Sequence, residues 1–363
     1  MTGRRPRATR PVHVAPARST STATAHSARQ ARSALKRQSP TTHLMETGRL
    51  RPVFHLAFTD SADRCWAIRF SKARNMYSRR SVILSLGAAT TMAACASARA
   101  PDRPLAGLER ESLGEFGVVA LEVGGRERLS HRADERFAMC STFKWLLGAL
   151  ILRDADRDTG LLDRRIAISD ADLVFHSPVT RQHVGSAGLS VSELCAATIK
   201  TSDNTAANLL LAGLDGPEGF TQRLRDLGDT VTRLDRLEPE LNENAPGDPR
   251  DTTTPRMMAH HLSDFLFGDR LTPSARDTLR GWMIAADTGL DRLRAGLPEK
   301  WVSGDKTGTS SNRANNDVAF AIPPEGAKAK PIVIASYINV PNPVSKEANR
   351  LHAQIAKLAS ANR

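Results

Sequence analysis

The chain has 363 residues and a formal net charge of +12 at pH 7. The charge is uneven: residues 1–100 hold 18 basic and 3 acidic residues, whereas residues 101–363 hold 33 basic and 36 acidic ones. The slightly acidic second part lacks the basic surface of a nucleic-acid binder, and its length is sufficient for a large core.

The first 75 residues differ in composition from the rest of the chain. They are rich in Arg, Ser, Thr, Ala and Pro and show little apolar periodicity. Such a composition cannot build a packed core. We expect residues 1–75 to be a non-native or disordered extension, with translation starting at Met76.

Residues 76–100 have the three parts of a secretory leader. Arg79 and Arg80 precede a short apolar run, which is followed by small residues suited to cleavage. The paired arginines resemble a twin-arginine export signal, and the apolar run is too short for a stable membrane span. The sequence therefore predicts a periplasmic or secreted protein, and it leaves a lipid anchor on Cys95 open.

The body after the leader contains two of the four cysteines, Cys140 and Cys195. Two cysteines make no disulfide framework, and their spacing is not that of metal ligands. We expect two free, buried thiols, although a single bridge between them stays open.

The body begins and ends with segments typical of strands. Near its start, a helix over 105–113 precedes strands over 116–123 and 128–137, which are joined by a Gly-Gly hairpin signal. Residues between 155 and 295 indicate mostly helices. The last part predicts three strands and a closing amphipathic helix, at 301–309, 317–322, 332–340 and 344–359.

Strands at both ends of the body, with helices between them, predict an α/β fold. Its antiparallel sheet is built from both chain ends and flanked by helices, and an all-helical domain is inserted. In this prediction the body spans 101–363, with residues 101–140 and 296–363 in the sheet domain and about 141–295 in the helical domain.

A serine and a lysine lie at the start of an apolar helix in segment 139–147. Ser141 and Lys144 are three residues apart, which places both side chains on one helix face. A serine hydroxyl needs a nearby base to act as a nucleophile, and a lysine can supply it when burial lowers its pKa. The pattern predicts that Ser141 attacks a carbonyl and becomes acylated, although an isolated match is more often a surface pair.

A second polar cluster, Ser202-Asp203-Asn204, follows an apolar run. All three residue types favour helix caps, which is the simplest interpretation. In the functional interpretation Ser202 relays a proton and the Asn204 amide holds a polar group of the substrate. Asp203 is then a structural hydrogen-bond acceptor.

A polar loop with two prolines follows, and Arg236 and Asp251 are placed to pair at its neck. Within the loop, Glu238 and Asn242 are four residues apart. A carboxylate and a carboxamide at this spacing can hold one water, which Glu238 would deprotonate and Asn242 would orient. Alone, the segment would be interpreted as a solvated surface loop.

The segment 303–309 carries Lys306, Thr307, Gly308 and Thr309 on a predicted edge strand. The glycine lets a ligand approach the backbone closely, and the lysine and threonine hydroxyls suit a substrate carboxylate. The backbone amide of Thr309, together with that of Ser141, could form an oxyanion hole. The alternative interpretation is an ordinary turn that bears a lysine.

These four motifs, with spacings of 61, 36 and 68 residues between Ser141, Ser202, Glu238 and Lys306, resemble those of class A serine β-lactamases. The resemblance covers residues 101–363. It implies a β-lactamase/transpeptidase-like fold and extracytoplasmic hydrolysis of penicillin- and cephalosporin-type antibiotics. It also implies small-molecule β-lactam substrates and neither a metal nor a cofactor; we further expect a monomer that does not bind nucleic acid.

The resemblance also implies roles for the motif residues. Ser141 is the nucleophile, Lys144 is a candidate base for acylation, and Ser202 relays a proton to the departing ring nitrogen. Glu238 positions the deacylating water with Asn242, and its part in acylation is left open.

The resemblance also implies which residues bind the substrate. Asn204 contacts the side-chain amide of the substrate. The carboxylate of the substrate is bound by Lys306, Thr307 and Thr309. Many members of the family carry an arginine on the next strand, where this chain has Asn315. Arg292 stands where other members supply an equivalent guanidinium, and Arg313 is the weaker alternative.

The chain departs from the family's disulfide patterns. The usual partner position of Cys195 is Gly148, and the strand that would bridge to Cys140 offers Ser310. In the family, a bridge from the cysteine at the position of Cys140 is typical of carbapenem-hydrolysing members. Because this bridge cannot form here, the sequence does not predict carbapenem hydrolysis.

Two alternatives share the acylation chemistry. A D-alanyl-D-alanine peptidase or other penicillin-binding protein has the serine, lysine and Lys-Thr-Gly elements but lacks a device such as Glu238 and Asn242. A β-lactam-sensing domain acylates and stays acylated, and it is usually tethered to a membrane segment.

Overall fold

The computed structural model describes residues 102–361. The predicted extension (1–75) and leader (76–100), including Cys95, therefore lie outside the described residues. Among the described residues, no helix has both the length and the apolar character needed to cross a membrane.

The described part contains helices and strands in an order that agrees with the predicted pattern. The helices are α1 (Arg103–Ser112), α2 (Phe143–Ala155), α3 (Val191–Lys200), α4 (Asn204–Ala212), α5 (Gly216–Asp226), α6 (Pro255–Phe267), α7 (Pro273–Ile284), α8 (Leu293–Gly296) and α9 (Lys346–Ser360). The strands are β1 (Glu115–Glu122), β2 (Glu127–His131), β3 (Phe137–Ala138), β4 (Arg165–Ile166), β5 (Leu189–Ser190), β6 (Thr252–Thr253), β7 (Val302–Thr309), β8 (Ala314–Ile322) and β9 (Ile332–Asn339).

Five strands form one antiparallel sheet in the order β2-β1-β9-β8-β7. The first two come from the start of the body and the other three from its end. The sheet confirms the predicted fold class, in which both chain ends build an antiparallel sheet flanked by helices. It also confirms that β7 is an edge strand, so one side of β7 is open to a ligand.

The sheet is buried on both faces, because successive side chains of a strand point to opposite sides. In β1, Val118 and Ala120 pack in one apolar cluster with α1 and α9, whereas Val119 and Leu121 pack in another with the central helices. Helices α6 and α7 pack on the second face, against β1, β9 and β7. Because both of its faces are buried, β1 has a nearly continuous apolar sequence rather than an alternating one.

Helix α2 is the most deeply buried helix of the inserted segment. Its residues from Phe143 to Leu152 are buried on every side, as expected of a helix that is apolar all round. Helix α3 begins with a capping box, in which Ser190 and Glu193 satisfy each other's backbone amides.

Two predicted strand boundaries are wrong. The predicted strand 128–137 ends at His131, because Arg132 adopts a left-handed backbone with φ 42°. Strand β8 begins at Ala314 rather than at 317. Its first residues, Asn315 and Asn316, are polar but buried, because their amides bond to backbone carbonyls of neighbouring segments.

Candidate active site

A cleft of about 480 Å³ lies between the edge strand β7, the start of α2 and the polar loop around residue 240. Ten of its thirteen lining residues are polar or charged, counting histidine. The lining comprises Ser141, Phe175, His176, Ser202, Asn204, Pro239, Asn242, Thr288, Arg292, Thr307, Gly308, Thr309 and Ser311.

Ser141 lies in a single 3₁₀ turn, Cys140–Thr142, which leads directly into α2. Its hydroxyl donates a 3.0 Å hydrogen bond to Oε1 of Glu238. Strand β7 approaches the serine closely, since a Cβ atom on Gly308 would lie 3.1 Å from the Ser141 amide nitrogen. This approach explains why a glycine occupies position 308 and brings the β7 backbone beside that amide.

Lys144 is fully buried, one helical turn beyond the serine. Its Nζ lies 2.9 Å from Oε1 of Glu238 and donates to the Ser202 carbonyl at 2.8 Å and to Asn204 Oδ1 at 2.5 Å. Burial lowers the pKa of Lys144, and the carboxylate of Glu238 opposes this shift only in part. A lysine with a lowered pKa can act as a base near neutral pH.

Ser202 lies between two lysines. Its hydroxyl accepts hydrogen bonds from Lys306 at 3.1 Å and from Lys144 at 3.4 Å. Burial, followed by the nearby charge of Lys144, lowers the pKa of Lys306 to about 7. The serine is therefore connected to both amines and can pass a proton between them and a bound molecule.

The other residues of this cluster are held by hydrogen bonds within the protein. The Asp203 carboxylate accepts from the backbone amides of Val179 and Thr180 and caps α4, so its predicted structural role is confirmed. The Asn204 amide donates to the Phe175 carbonyl at 2.9 Å and accepts from Lys144. Both ends of this amide are therefore fixed at the wall of the cleft.

Glu238 forms the centre of the cluster. While its Oε1 contacts Ser141 and Lys144, its Oε2 accepts a 2.5 Å hydrogen bond from the Asn242 amide. The sequence predicts a water between the carboxylate and the carboxamide, whereas in the structure the two groups are in direct contact. Oδ1 of Asn242 is buried without a partner among the described residues, so it is an oxygen that can accept a hydrogen bond from a water.

The loop that carries Glu238 is closed at its neck as predicted. Arg236 Nε donates to Asp251 Oδ2 at 2.6 Å, and Asp251 Oδ1 accepts from two backbone amides of the loop. Asn208 adds a clamp that the sequence analysis missed, with 2.9 Å bonds to both the N–H and the carbonyl of Glu238. Its one visible signal is an asparagine inside the apolar helix α4.

Arg292 reaches the cleft from the start of α8 and is only 8% exposed. Its guanidinium donates to the Thr309 hydroxyl at 2.8 Å and to the Asn316 carbonyl at 2.7 Å. Arg313 instead pairs with Glu115 at 2.8 Å and does not line the cleft. Thr288, which the sequence analysis also missed, accepts a 2.8 Å hydrogen bond from Thr307.

Cys140 and Cys195, the two cysteines of the described part of the chain, are both free and buried. Burial raises the pKa of each thiol, and for Cys140 the charge of Glu238 adds to the shift. Neutral thiols of this kind act as small apolar side chains in the core.

The geometry is that of a serine acyl-transfer enzyme: a nucleophile at the start of a buried helix contacts a carboxylate that is shared with a buried lysine. A sequence model of the β-lactamase enzyme family matches residues 101–362. The chain belongs to this family and is a class A serine β-lactamase.

Relatives of this class are similar in sequence and in structure. β-Lactamase L2 of Stenotrophomonas maltophilia is 46% identical over 254 residues, which are 70% of this chain and 83% of the relative. β-Lactamase CTX-M-97 of Escherichia coli is 40% identical over 265 residues, which are 73% of this chain and 90% of the relative. Among solved structures, L2 complexed with relebactam has a TM-score of 0.67 at 47% identity, covering 70% of this chain and 94% of that chain.

An ancestral class A β-lactamase, GNCA, also has a TM-score of 0.67, at 50% identity, and covers 70% of this chain and 96% of that chain. The common region thus includes nearly all of each solved structure. Its extent agrees with residues 101–362 and establishes the family for the whole described part of the chain.

Proposed function

We propose that this β-lactamase opens penicillin- and cephalosporin-type β-lactams through an ester on Ser141, which is then hydrolysed by a water that Glu238 activates. The observation that carries the proposal is the position of the Glu238 carboxylate. One oxygen lies 3.0 Å from the serine hydroxyl and 2.9 Å from the lysine amine, and the other is bonded to Asn242.

In the acylation step, the Ser141 oxygen attacks the β-lactam carbonyl and its proton passes to Lys144 or to Glu238, both of which are in contact with the site. The backbone amides of Ser141 and Thr309 stabilise the resulting oxyanion. As the carbon–nitrogen bond breaks, Ser202 delivers a proton to the ring nitrogen. The bonds from the two lysines to the Ser202 hydroxyl support this relay.

In the deacylation step, a water attacks the ester carbonyl and its proton passes to Glu238. The Ser141 oxygen then leaves and takes this proton back from Glu238, which restores both groups. Oδ1 of Asn242, which has no partner among the described residues, supports this step, because it can accept a hydrogen bond from the attacking water while the carboxylate takes the other hydrogen as a proton. Peptidases and sensors of the same chemistry retain their ester, because nothing places a water in this way.

Substrate binding is proposed to use the polar wall of the cleft. Lys306, Thr307, Thr309 and Arg292 meet the carboxylate of the substrate, and the fixed Asn204 amide faces its side chain. The cleft volume of about 480 Å³ is sufficient for a small bicyclic antibiotic.

Purified protein that comprises residues 101–363 should turn over a chromogenic cephalosporin repeatedly. Steady hydrolysis at many equivalents per enzyme is the expected result. A protein that stops after one equivalent and carries a stable adduct would instead act as a penicillin-binding protein or a β-lactam sensor.

Arg292→Ala is expected to weaken substrate capture, because the guanidinium faces the site of the carboxylate. A lost charge-assisted hydrogen bond of about 1.5–3 kcal/mol corresponds to a decrease of about 10- to 150-fold in kcat/KM, mainly through KM. Arg313→Ala is the matched control, because Arg313 pairs with Glu115 outside the cleft. Unchanged kinetics for Arg292→Ala, with a large loss for Arg313→Ala, would transfer the role to Arg313.

We propose that the enzyme is exported by the leader that begins at Met76, and that residues 1–75 are dispensable. The composition of residues 1–75 and the paired arginines support this proposal. Expression from Met76 should give full activity outside the cytoplasm, measured on fractionated cells. Replacing Arg79 and Arg80 by lysine should retain the enzyme inside. Exported activity from the long form alone would contradict the proposal.

A further inference from the structure

A histidine lies on the apolar, buried face of the closing helix α9. His352 is 0% exposed, and the other buried residues of the helix are Ala348, Ile355, Ala356 and Ala359. A polar ring is costly to bury unless it is hydrogen-bonded. Its Nε2 lies 2.9 Å from both the backbone oxygen and the side-chain oxygen of Asn315, so the ring contacts β8 through this one residue.

These contacts determine which ring nitrogen of His352 carries the hydrogen. A backbone carbonyl can only accept, so Nε2 must donate to Asn315. Nδ1 is buried without a partner among the described residues, which fits its being the bare nitrogen of a neutral ring. Burial, followed by the charge of Arg292, lowers the pKa of His352 to about 3, so the ring is uncharged at neutral pH.

The Asn315 side chain continues the chain of hydrogen bonds. Its amide nitrogen donates to the Pro343 carbonyl and, at 3.0 Å, to Oδ1 of Asn349. Because the Pro343 carbonyl can only accept, the nitrogen of the amide faces Pro343 and its oxygen faces His352. The histidine therefore holds the oxygen end of the same amide whose nitrogen end holds Asn349.

Asn349 connects this chain to the cleft. Its Oδ1 accepts from Arg292 Nε at 3.1 Å as well as from Asn315. The other nitrogens of the guanidinium bond to Thr309 and Asn316, on the side of the sheet. The bond to Asn349 is therefore the one that ties the guanidinium to α9.

We infer that His352 is a positioning residue for Arg292: through the side chains of Asn315 and Asn349, its Nε2–H donor fixes the guanidinium in the wall of the cleft. A residue that only filled the core could be replaced by a leucine, whereas a donor could not. The kinetic consequence rests on the proposed role of Arg292 in binding the substrate carboxylate, but the hydrogen-bond chain does not.

The kinetic test compares two substitutions of the histidine. His352→Leu keeps an apolar side chain of similar size but removes the donor, and it should raise KM for a penicillin about 3- to 10-fold with little change in kcat. In His352→Gln the amide nitrogen can take the place of Nε2, so KM should stay within about twofold of the wild type. Thermal unfolding of each variant confirms that it is folded.

A matched control is the second buried histidine of a helix, His261, which pairs with Asp229 at 2.8 Å and does not line the cleft. His261→Leu should leave KM unchanged even where it lowers the melting temperature. A glutamine variant of His352 as impaired as the leucine variant, or an equal rise in KM for His261→Leu, would overturn the inference.

A double-mutant cycle tests whether the histidine acts through the guanidinium. In an Arg292→Ala background, His352→Leu should cause no further rise in KM, because the group that it positions is already absent. The same rise in both backgrounds would mean that the leucine disturbs the cleft in another way, and it would overturn the inference.

Nuclear magnetic resonance tests the hydrogen-bond chain without reference to activity. In ¹⁵N-labelled wild type, the His352 ring should be neutral with its hydrogen on Nε2. The Nε–H of Arg292 should exchange slowly in the wild type and in His352→Gln, and about 3- to 10-fold faster in His352→Leu.

A hydrogen on Nδ1, or an exchange rate of Arg292 that is the same in the leucine variant, would overturn the inference. The expected spectra together with unchanged kinetics in Arg292→Ala would confirm that His352 positions the guanidinium. That combination would contradict only the proposed role of Arg292 in substrate binding.

Discussion

Ser141→Ala is expected to abolish β-lactam turnover, with kcat lower by about 10⁶-fold, a loss typical of removing the nucleophile of a serine hydrolase. Ser141 is the hydroxyl of the cleft that contacts the Glu238 carboxylate, so its removal should leave no drug adduct in intact-mass spectrometry. The fold should persist, because the hydroxyl contributes one hydrogen bond, to Glu238, which keeps its contact with Lys144. The free energy of unfolding should change by about 1 kcal/mol.

Ser202→Ala is the informative companion, because Ser202 is the serine whose hydroxyl is hydrogen-bonded to Lys144. It should still hydrolyse a penicillin through Ser141, although more slowly, since the relay to the ring nitrogen is lost while Glu238 still hydrolyses the ester. An adduct in Ser141→Ala would instead identify a different nucleophile and contradict the assignment.

The sheet could be predicted from the sequence because its strands are defined by local patterns. In β9 an apolar run bounded by turn residues fixes the strand to within one residue. The start of β8 could not be found in this way, because Asn315 and Asn316 have the composition of a loop. Their burial depends on partners such as the Ala138 carbonyl, 178 residues away, which no local window contains.

In the site, too, local patterns could be read from the sequence, whereas contacts between distant residues could not. The spacing of Ser141 and Lys144 predicts that they share a helix face, but the structure links them through Glu238, which lies 97 residues from the serine. Glu238 could be identified from the sequence because it belongs to one of the four motifs, which follow one another in a fixed order. The Asn208 clamp and the Thr288 hydroxyl belong to no motif and are chosen only by the packing of α4 and the segment before α8. Groups that carry chemistry are therefore easier to predict from the sequence than groups that position them.

Glu238→Ala is expected to separate the two halves of the reaction. Lys144 keeps its bonds to Ser202 and Asn204, so the serine can still be acylated at a reduced rate. Hydrolysis of the ester loses its general base, which is worth about 10²–10⁴ in rate. A penicillin should therefore produce a burst of one equivalent followed by near-arrest, with one drug adduct on the Ser141 peptide.

Glu240→Ala is the matched control, because Glu240 lies two residues further along the same loop but is exposed to solvent. It should behave like the wild type in both phases. Rapid steady turnover in Glu238→Ala, or an equal arrest in Glu240→Ala, would remove Glu238 from the deacylation step.

Glu238→Gln distinguishes a base from a spacer. Glutamine preserves the size of the side chain and can still accept from Asn242 and contact Ser141, so the loop and its Asn208 clamp should remain in place. An amide cannot take the proton of the attacking water. If Glu238 acts as a base, the glutamine variant should stall as the adduct, as the alanine variant does. If the side chain only orders the water, the glutamine variant should retain most of its deacylation rate, and the base would have to be Lys144.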